Sequence, residues 1–411
     1  MILLESALLL PMDSTPIEQG GILIEGNIIH DVGFARDLEK LYTKKITQIK
    51  CLNDTVLVPG FVNAHSHLEL TCMRDFRYPG TFTGWIEKLV EEKNKISAVA
   101  YEKGILQGID EMLKSGITTI GDHVSFNTDL VTLLKSPFRG YLFVEVLGTR
   151  KEMAEETFGF AKEFQKMFKK QKTLLKVIPT PHSVHALHPE IFKEVMDEDL
   201  PVYSIHLSES AEEDKYFKQQ QGPLYEFIKS KGEIPDQEIT LRNSAIHYLE
   251  EKNFLSDHVM AIHCNYVDEE DIRRLGEKKA SVVHCPGSHA YFHHRKFDFD
   301  GLRSKKINIA LGTDSLASGM SLSMLDQIRL GQKECPAIPP AKWLRMATLH
   351  GAYALKMDEE IGSLSPGKKA DIIGFKLPSH IVKNQDAAME EIVKAKQVDF
   401  VMIDGKTWMT A

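Results

Sequence analysis

A chain of 411 residues with 43% hydrophobic and 26% charged side chains has the composition of a folded globular protein, which excludes a disordered or membrane-embedded one. Its formal net charge of -8 argues against nucleic acid as a partner, because phosphate-tracking proteins carry a basic excess or stripe. The length exceeds a minimal core and suits one barrel of about 250–300 residues beside a smaller satellite domain.

The N-terminal MILLESALLLPMDS is apolar but has no positive stretch or small-residue cleavage site, so it reads as a buried strand. Residues 21–33 alternate apolar and polar on either side of Gly26-Asn27, the pattern of a β-hairpin. An apolar strand follows at 57–67. Ile105, Ile109, Met112 and Leu113 then fall on one face of a helix, and the strand-like ITTIGDH (117–123) comes directly after it. Further strands are expected at 140–148, 174–180, 202–209, 258–264, 280–285 and 307–314. Lys169, Lys170 and Lys172 form a solvated helical face. The final segments, 360–375 and 398–409, are short strands broken by Gly and Pro.

Eight strands alternating with helices predict an α/β fold, a (β/α)8 TIM barrel over residues 57–358. Its chemistry would lie at the C-terminal ends of the strands. Residues 1–56 and 359–411 would pair as one small discontinuous β-sandwich domain. Cys51, Cys72, Cys264, Cys285 and Cys335 are odd in number and form no CxxC pair, which suits a reducing cytoplasm.

Four residues that close apolar strands carry the chemical expectation. His65 and His67 are two apart, so an extended chain points both rings to one side. His206 stands roughly four βα units further on, at 30 or more residues each, which puts it on the fifth strand. Asp314 closes the last strand behind Gly312-Thr313. Three imidazoles and a carboxylate suit one divalent ion, zinc or alternatively ferrous iron, with a coordination position left for water. His263 closes the sixth strand. Glu209 follows His206 by three residues, placing a carboxylate beside the ion as a proton shuttle; the competing reading is a helix-capping segment around Ser208 and Ser210.

The stretches VPGFVNAHSHLEL, HLSES, AIHCNYVDEEDI, HCPGSHAYF, ALGTDSLAS and GSLSPGKKADII together resemble the aminohydrolase branch of the amidohydrolase superfamily, which contains adenosine- and guanine-type deaminases and chlorohydrolases. HSHLELT, Phe82 and Trp85 in TFTGWIEKLV, and SHAYFHH resemble aminodeoxyfutalosine deaminase-like proteins in particular. The resemblance implies that His65, His67, His206 and Asp314 hold a single metal. It also implies that Glu209, His263 and Asp314 are catalytic. The expected reaction is hydrolytic deamination of an amino-purine nucleoside of adenine type, with guanine-type or S-adenosylhomocysteine-type deamination, dechlorination or an inactive scaffold as alternatives. Trp85, Arg150, His182 and His289 are the expected substrate contacts. Two departures stand out: many relatives read Pro-His-Ala-Pro-Tyr where this chain has Pro181-His182-Ser183-Val184-His185, and Ser-Asn where it has Ser288-His289. A small-molecule substrate, no membrane and a homo-oligomer such as a dimer complete the expectation.

Overall fold

The computed structural model describes residues 1–125, 130–231 and 243–410. In chain order, five strands come first: β1 (Ile2–Leu9), β2 (Ile17–Glu18), β3 (Gly20–Glu25), β4 (Ile28–Phe34) and β5 (Gln48–Pro59). Eight strands alternate with helices through the middle: β6 (Phe61–Ser66), β7 (Ile117–Val124), β8 (Arg139–Val146), β9 (Leu175–Pro181), β10 (Tyr203–Leu207), β11 (Val259–His263), β12 (Ser281–His284) and β13 (Ile309–Leu311). The chain ends on β14 (Ile372–Lys376), β15 (Phe400–Ile403) and β16 (Lys406–Thr410).

All eight central strands lie where the apolar runs place them, and they pair in parallel. They form two quartets, β6-β7-β8-β9 and β10-β11-β12-β13, and not the one continuous closed ladder the sequence suggests. Between the quartets the described residues show isolated bridges in place of a ladder, Ser183 to His206 and Ser66 to Asp314. The break between β13 and β6 has a local cause. After three paired residues the chain turns out of register, and the N–H groups of Thr313 and Asp314 both donate to the carbonyl of His65, at 2.9 and 3.0 Å. Gly312 permits this approach, since a Cβ there would lie 2.8 Å from the His65 oxygen and 2.9 Å from Cys285 Sγ.

Strands from both ends of the chain form one eight-stranded sheet, ordered β16-β15-β14-β5-β1-β3-β4 with β2 beside β1. The sequence leads one to expect a two-layer sandwich; the difference arises from β5. This long strand pairs in parallel with β1 and antiparallel with β14, so the C-terminal strands extend the N-terminal ladder. The sheet curls until its ends meet, where Asn27 Nδ2 donates to Asp404 Oδ1 at 2.9 Å. Leu4, Ile22, Ile24, Leu57, Ile372 and Phe400 pack together inside the curl. Val56, Val58, Ile373 and Phe375 face the other way and join the core of the central strands.

A buried ion pair ties the two parts. Arg139 opens β8 at 5% exposure, and its Nε and Nη2 reach Asp371 at 2.8 and 3.3 Å while Nη2 also reaches Asp404 at 2.8 Å. Removing one partner from such a pair strands a buried charge, at a typical cost of about 3–5 kcal/mol. Among the described residues no helix is long and apolar enough to cross a membrane.

Candidate metal centre

His65 lies on β6 and His67 follows its last residue. His206 is on β10, His263 ends β11, and Asp314 lies three residues beyond β13. The strand frame therefore delivers all five to one end. His65 is fully buried, with His206, His263 and Asp314 at 5, 2 and 5% exposure. The rings of His65 and His67 are 4.9 Å apart, as are those of His65 and His206.

Some of the strained backbone lies here. Ser208, His263, Cys264 and Asp314 all adopt positive φ, at 51, 72, 50 and 56°. Non-glycine residues take this conformation at a cost of order 1–3 kcal/mol and keep it only where surrounding contacts enforce it, commonly at functional sites.

The donor set fits a divalent cation. His65 Nε2 and His67 Nε2 stand 3.7 and 3.9 Å from Asp314 Oδ1, too far for hydrogen bonds. They are slightly wider than the roughly 3.4 Å that separates two donors each about 2.1 Å from one tetrahedral ion. Neither ring nitrogen of His65 has a hydrogen-bond partner, an arrangement that is costly for a buried imidazole unless an ion completes it. His206 directs Nδ1 to the carbonyl of His182 at 3.0 Å, leaving Nε2 free for a ligand role. Burial pushes His67, His206 and His263 below the usual histidine range, keeping them in the neutral form that coordinates.

Potential ligand atoms converge within 4.8 Å in four overlapping sets: His65, His67 and Asp314; His65, His123 and His206; His67, Glu145 and His206; and Glu209, His263 and Asp314. The four expected ligands thus fall into two sets that share His65. Glu209 Oε1 is 3.4 Å from His263 Nε2. Burial first, then the neighbouring Asp314 and Glu213, push the Glu209 carboxyl well above its ordinary value. Asp314 moves the other way: burial would raise it, but His65, His263 and His67 hold it below the usual carboxylate range.

His123 and Glu145 were not singled out from the sequence. The His123 ring is 4.6 Å from that of His65. Its Nε2 meets Ser204 Oγ at 2.7 Å and its Nδ1 stands 3.3 Å from Glu145 Oε1. The signal was present, since His123 ends ITTIGDH just as the other histidines end their strands. Asp122 beside it accepts from Ser66 Oγ at 2.6 Å and from the Leu68 N–H at 2.9 Å, steadying the turn that carries His67.

The expected substrate contacts separate into two pairs. His182 stacks on His206 at 4.6 Å between ring centroids and, with Arg150, lines a cavity of about 410 Å³ whose walls include Ile86, Val90, Leu147 and Phe227. A larger cleft of about 750 Å³, at Lys279, Arg303, Ile309 and His350, includes none of the converging residues. Trp85 does not line the 410 Å³ cavity: it is 9% exposed, donates from Nε1 to the Ala317 carbonyl at 3.2 Å and packs against Phe76, Phe82 and Phe292. His289 is also buried, with its ring nitrogens turned to Asn265 and Glu334.

Residues 56–408 match the model of the amidohydrolase family. The chain is 28% identical to the 5-methylthioadenosine/S-adenosylhomocysteine deaminase of Thermoanaerobacter pseudethanolicus, across 99% of this chain and 93% of the relative. Among solved structures it superposes on a zinc-bound adenosine deaminase from Xanthomonas campestris with a TM-score of 0.83 at 23% identity, covering 100% of this chain and 93% of that one. A TM-score of 0.83 at 22% identity is also found with Helicobacter pylori aminofutalosine deaminase in complex with methylthio-coformycin, covering both chains fully. At these identities the structural likenesses establish the α/β TIM-barrel fold.

Proposed function

The chain belongs to the amidohydrolase family, and from that premise we propose that it is a metal-dependent hydrolase that deaminates an adenine-type purine nucleoside, releasing ammonia. The observation that carries this reading is the pair of ligand-atom sets that share His65, one with His67 and Asp314 and the other with His123 and His206, with Glu209 and His263 beside Asp314. The deaminase named for the full-length relative supports it.

His65, His67, His206 and Asp314 would hold one ion, with zinc the first expectation. A divalent ion supplies water activation at neutral pH, lowering the pKa of water from 15.7 toward about 7. Asp314 orients the attacking water and takes up its proton. The amino-bearing ring carbon becomes tetrahedral, and His263 stabilises the developing oxygen by a hydrogen bond. Glu209 delivers a proton to the ring nitrogen and then assists departure of ammonia, leaving the keto ring. Oxygen enters from water as the amino nitrogen leaves, so the reaction needs no redox partner.

His182 bridges this centre and the 410 Å³ cavity. The apolar walls favour an apolar extension of the nucleoside, and Arg150 at the same cavity would accept a terminal carboxylate. Aminodeoxyfutalosine combines an adenine ring with such an extension.

The test is ammonia release, with loss of adenine absorbance, from zinc-loaded protein given adenosine, 5-methylthioadenosine, S-adenosylhomocysteine and aminodeoxyfutalosine. At least one should turn over, with extended substrates showing higher kcat/KM than adenosine. No ammonia from any of them, or chloride release from a chlorinated ring as the sole activity, would contradict the proposal.

A further inference from the structure

The carboxylate assigned to proton transfer is held in place through its backbone. Glu213 accepts from the N–H groups of Ser208 and Glu209 at 2.9 and 2.7 Å. On the opposite side Asn265 donates from Nδ2 to the carbonyl of Glu209 at 3.0 Å. Asn265 is 4% exposed, so this amide is a buried strut.

A chain of contacts continues behind it. With Nδ2 used on Glu209, Asn265 Oδ1 is the acceptor for His289 Nδ1–H, at 3.0 Å. The other nitrogen, His289 Nε2, stands 3.3 Å from Glu334 Oε1. The His289 ring is thus held from both sides, by the Asn265 amide at Nδ1 and by the Glu334 carboxylate at Nε2. Glu334 ends the helix Met324–Glu334. Its position is fixed in turn, because Oε1 accepts from the Phe297 N–H at 3.0 Å and Oε2 lies 3.4 Å from His284 Nε2. Burial alone would raise the Glu334 carboxyl, but His284 and His289 outweigh it and hold it below the usual carboxylate range.

We propose that Glu334, His289 and Asn265 form a buried relay that positions Glu209, an inference that rests on the deaminase reading of the site. None of the three reaches the converging metal-ligand atoms, so they are positioning residues. A buried polar chain with its members paired resists local rearrangement. A displacement of about 1 Å at a reacting group can cost on the order of a hundredfold in rate. The arrangement also gives His289 a task away from the substrate, consistent with its burial and its engaged nitrogens.

The experiment uses zinc-loaded full-length protein carrying Glu334→Gln or Asn265→Ala, each alone and each combined with Glu209→Gln. The second variant breaks the strut without stranding a buried charge. Alone, each should lower kcat by about tenfold or more, with KM and metal content close to those of the parent. In the Glu209→Gln background neither should lower the residual rate further, because the relay acts through Glu209. In parallel, amide hydrogen exchange across residues 206–213 should quicken in both variants. The same factor of loss in both backgrounds, or unchanged exchange in that segment, would overturn the proposal. If the parent protein releases no ammonia, the deaminase reading fails on its own, and the exchange measurement decides the relay.

Discussion

His206→Ala is expected to reduce bound metal to well under one equivalent per chain and to lower turnover by at least three orders of magnitude. That loss corresponds to about 4 kcal/mol or more of transition-state stabilisation. The reason lies in the place of His206 in the centre. Its Nδ1 is committed to the His182 carbonyl at 3.0 Å, which fixes the ring and dedicates Nε2 to the ion. It also belongs to two of the four converging sets, joining His65 and His123 in one and His67 and Glu145 in the other. Metal analysis after exchange into metal-free buffer, followed by assay with and without added zinc, gives the result. Near-stoichiometric metal with retained turnover would remove His206 from the ligand set.

Glu209→Gln should have a comparable effect on rate by a different route. Gln preserves size and leaves the Glu209 backbone bonds to Glu213 and Asn265 intact, but it cannot transfer the proton. The expected fall in kcat is about 10²- to 10⁴-fold, the usual worth of a positioned acid or base, with metal content unchanged. Equal loss of metal would make Glu209 a ligand; a normal rate would remove it from proton transfer.

Much of this centre is legible in the sequence because strands present their ends to one side. A histidine or aspartate closing an apolar run is therefore already placed, and His65, His206, His263 and Asp314 all follow that rule. The same rule covers His123, which stands near the end of β7 as His206 and His263 stand near the ends of theirs. Glu145 lies within an apolar strand, where only the neighbouring strand could show that it faces His123. The pairing of Asn265 with His289 and Glu334 depends on how the turn after β11 packs against helices that follow other strands, and no periodicity in one segment records that. Trp85 shows the opposite limit: a conspicuous aromatic residue near the motif turns out to fill space beneath Phe292 and Phe82.

The terminal sheet teaches a related lesson. Alternating residues about Gly26-Asn27 identify β3 and β4 and pair them as a hairpin, but they do not name the strand on the hairpin's other side. Nothing in residues 48–59 alone states that β5 pairs with β1 along one edge and β14 along the other. Sheet order is a property of long-range pairing, and it decided between two layers and one curled sheet.

The central claim is tested most directly by a crystal structure of the zinc-loaded protein with anomalous scattering recorded at the zinc edge. The account predicts one strong peak per chain within about 2.0–2.2 Å of ligand atoms from His65, His67, His206 and Asp314. A peak elsewhere, or one whose neighbours leave out Asp314 and His67, would contradict it.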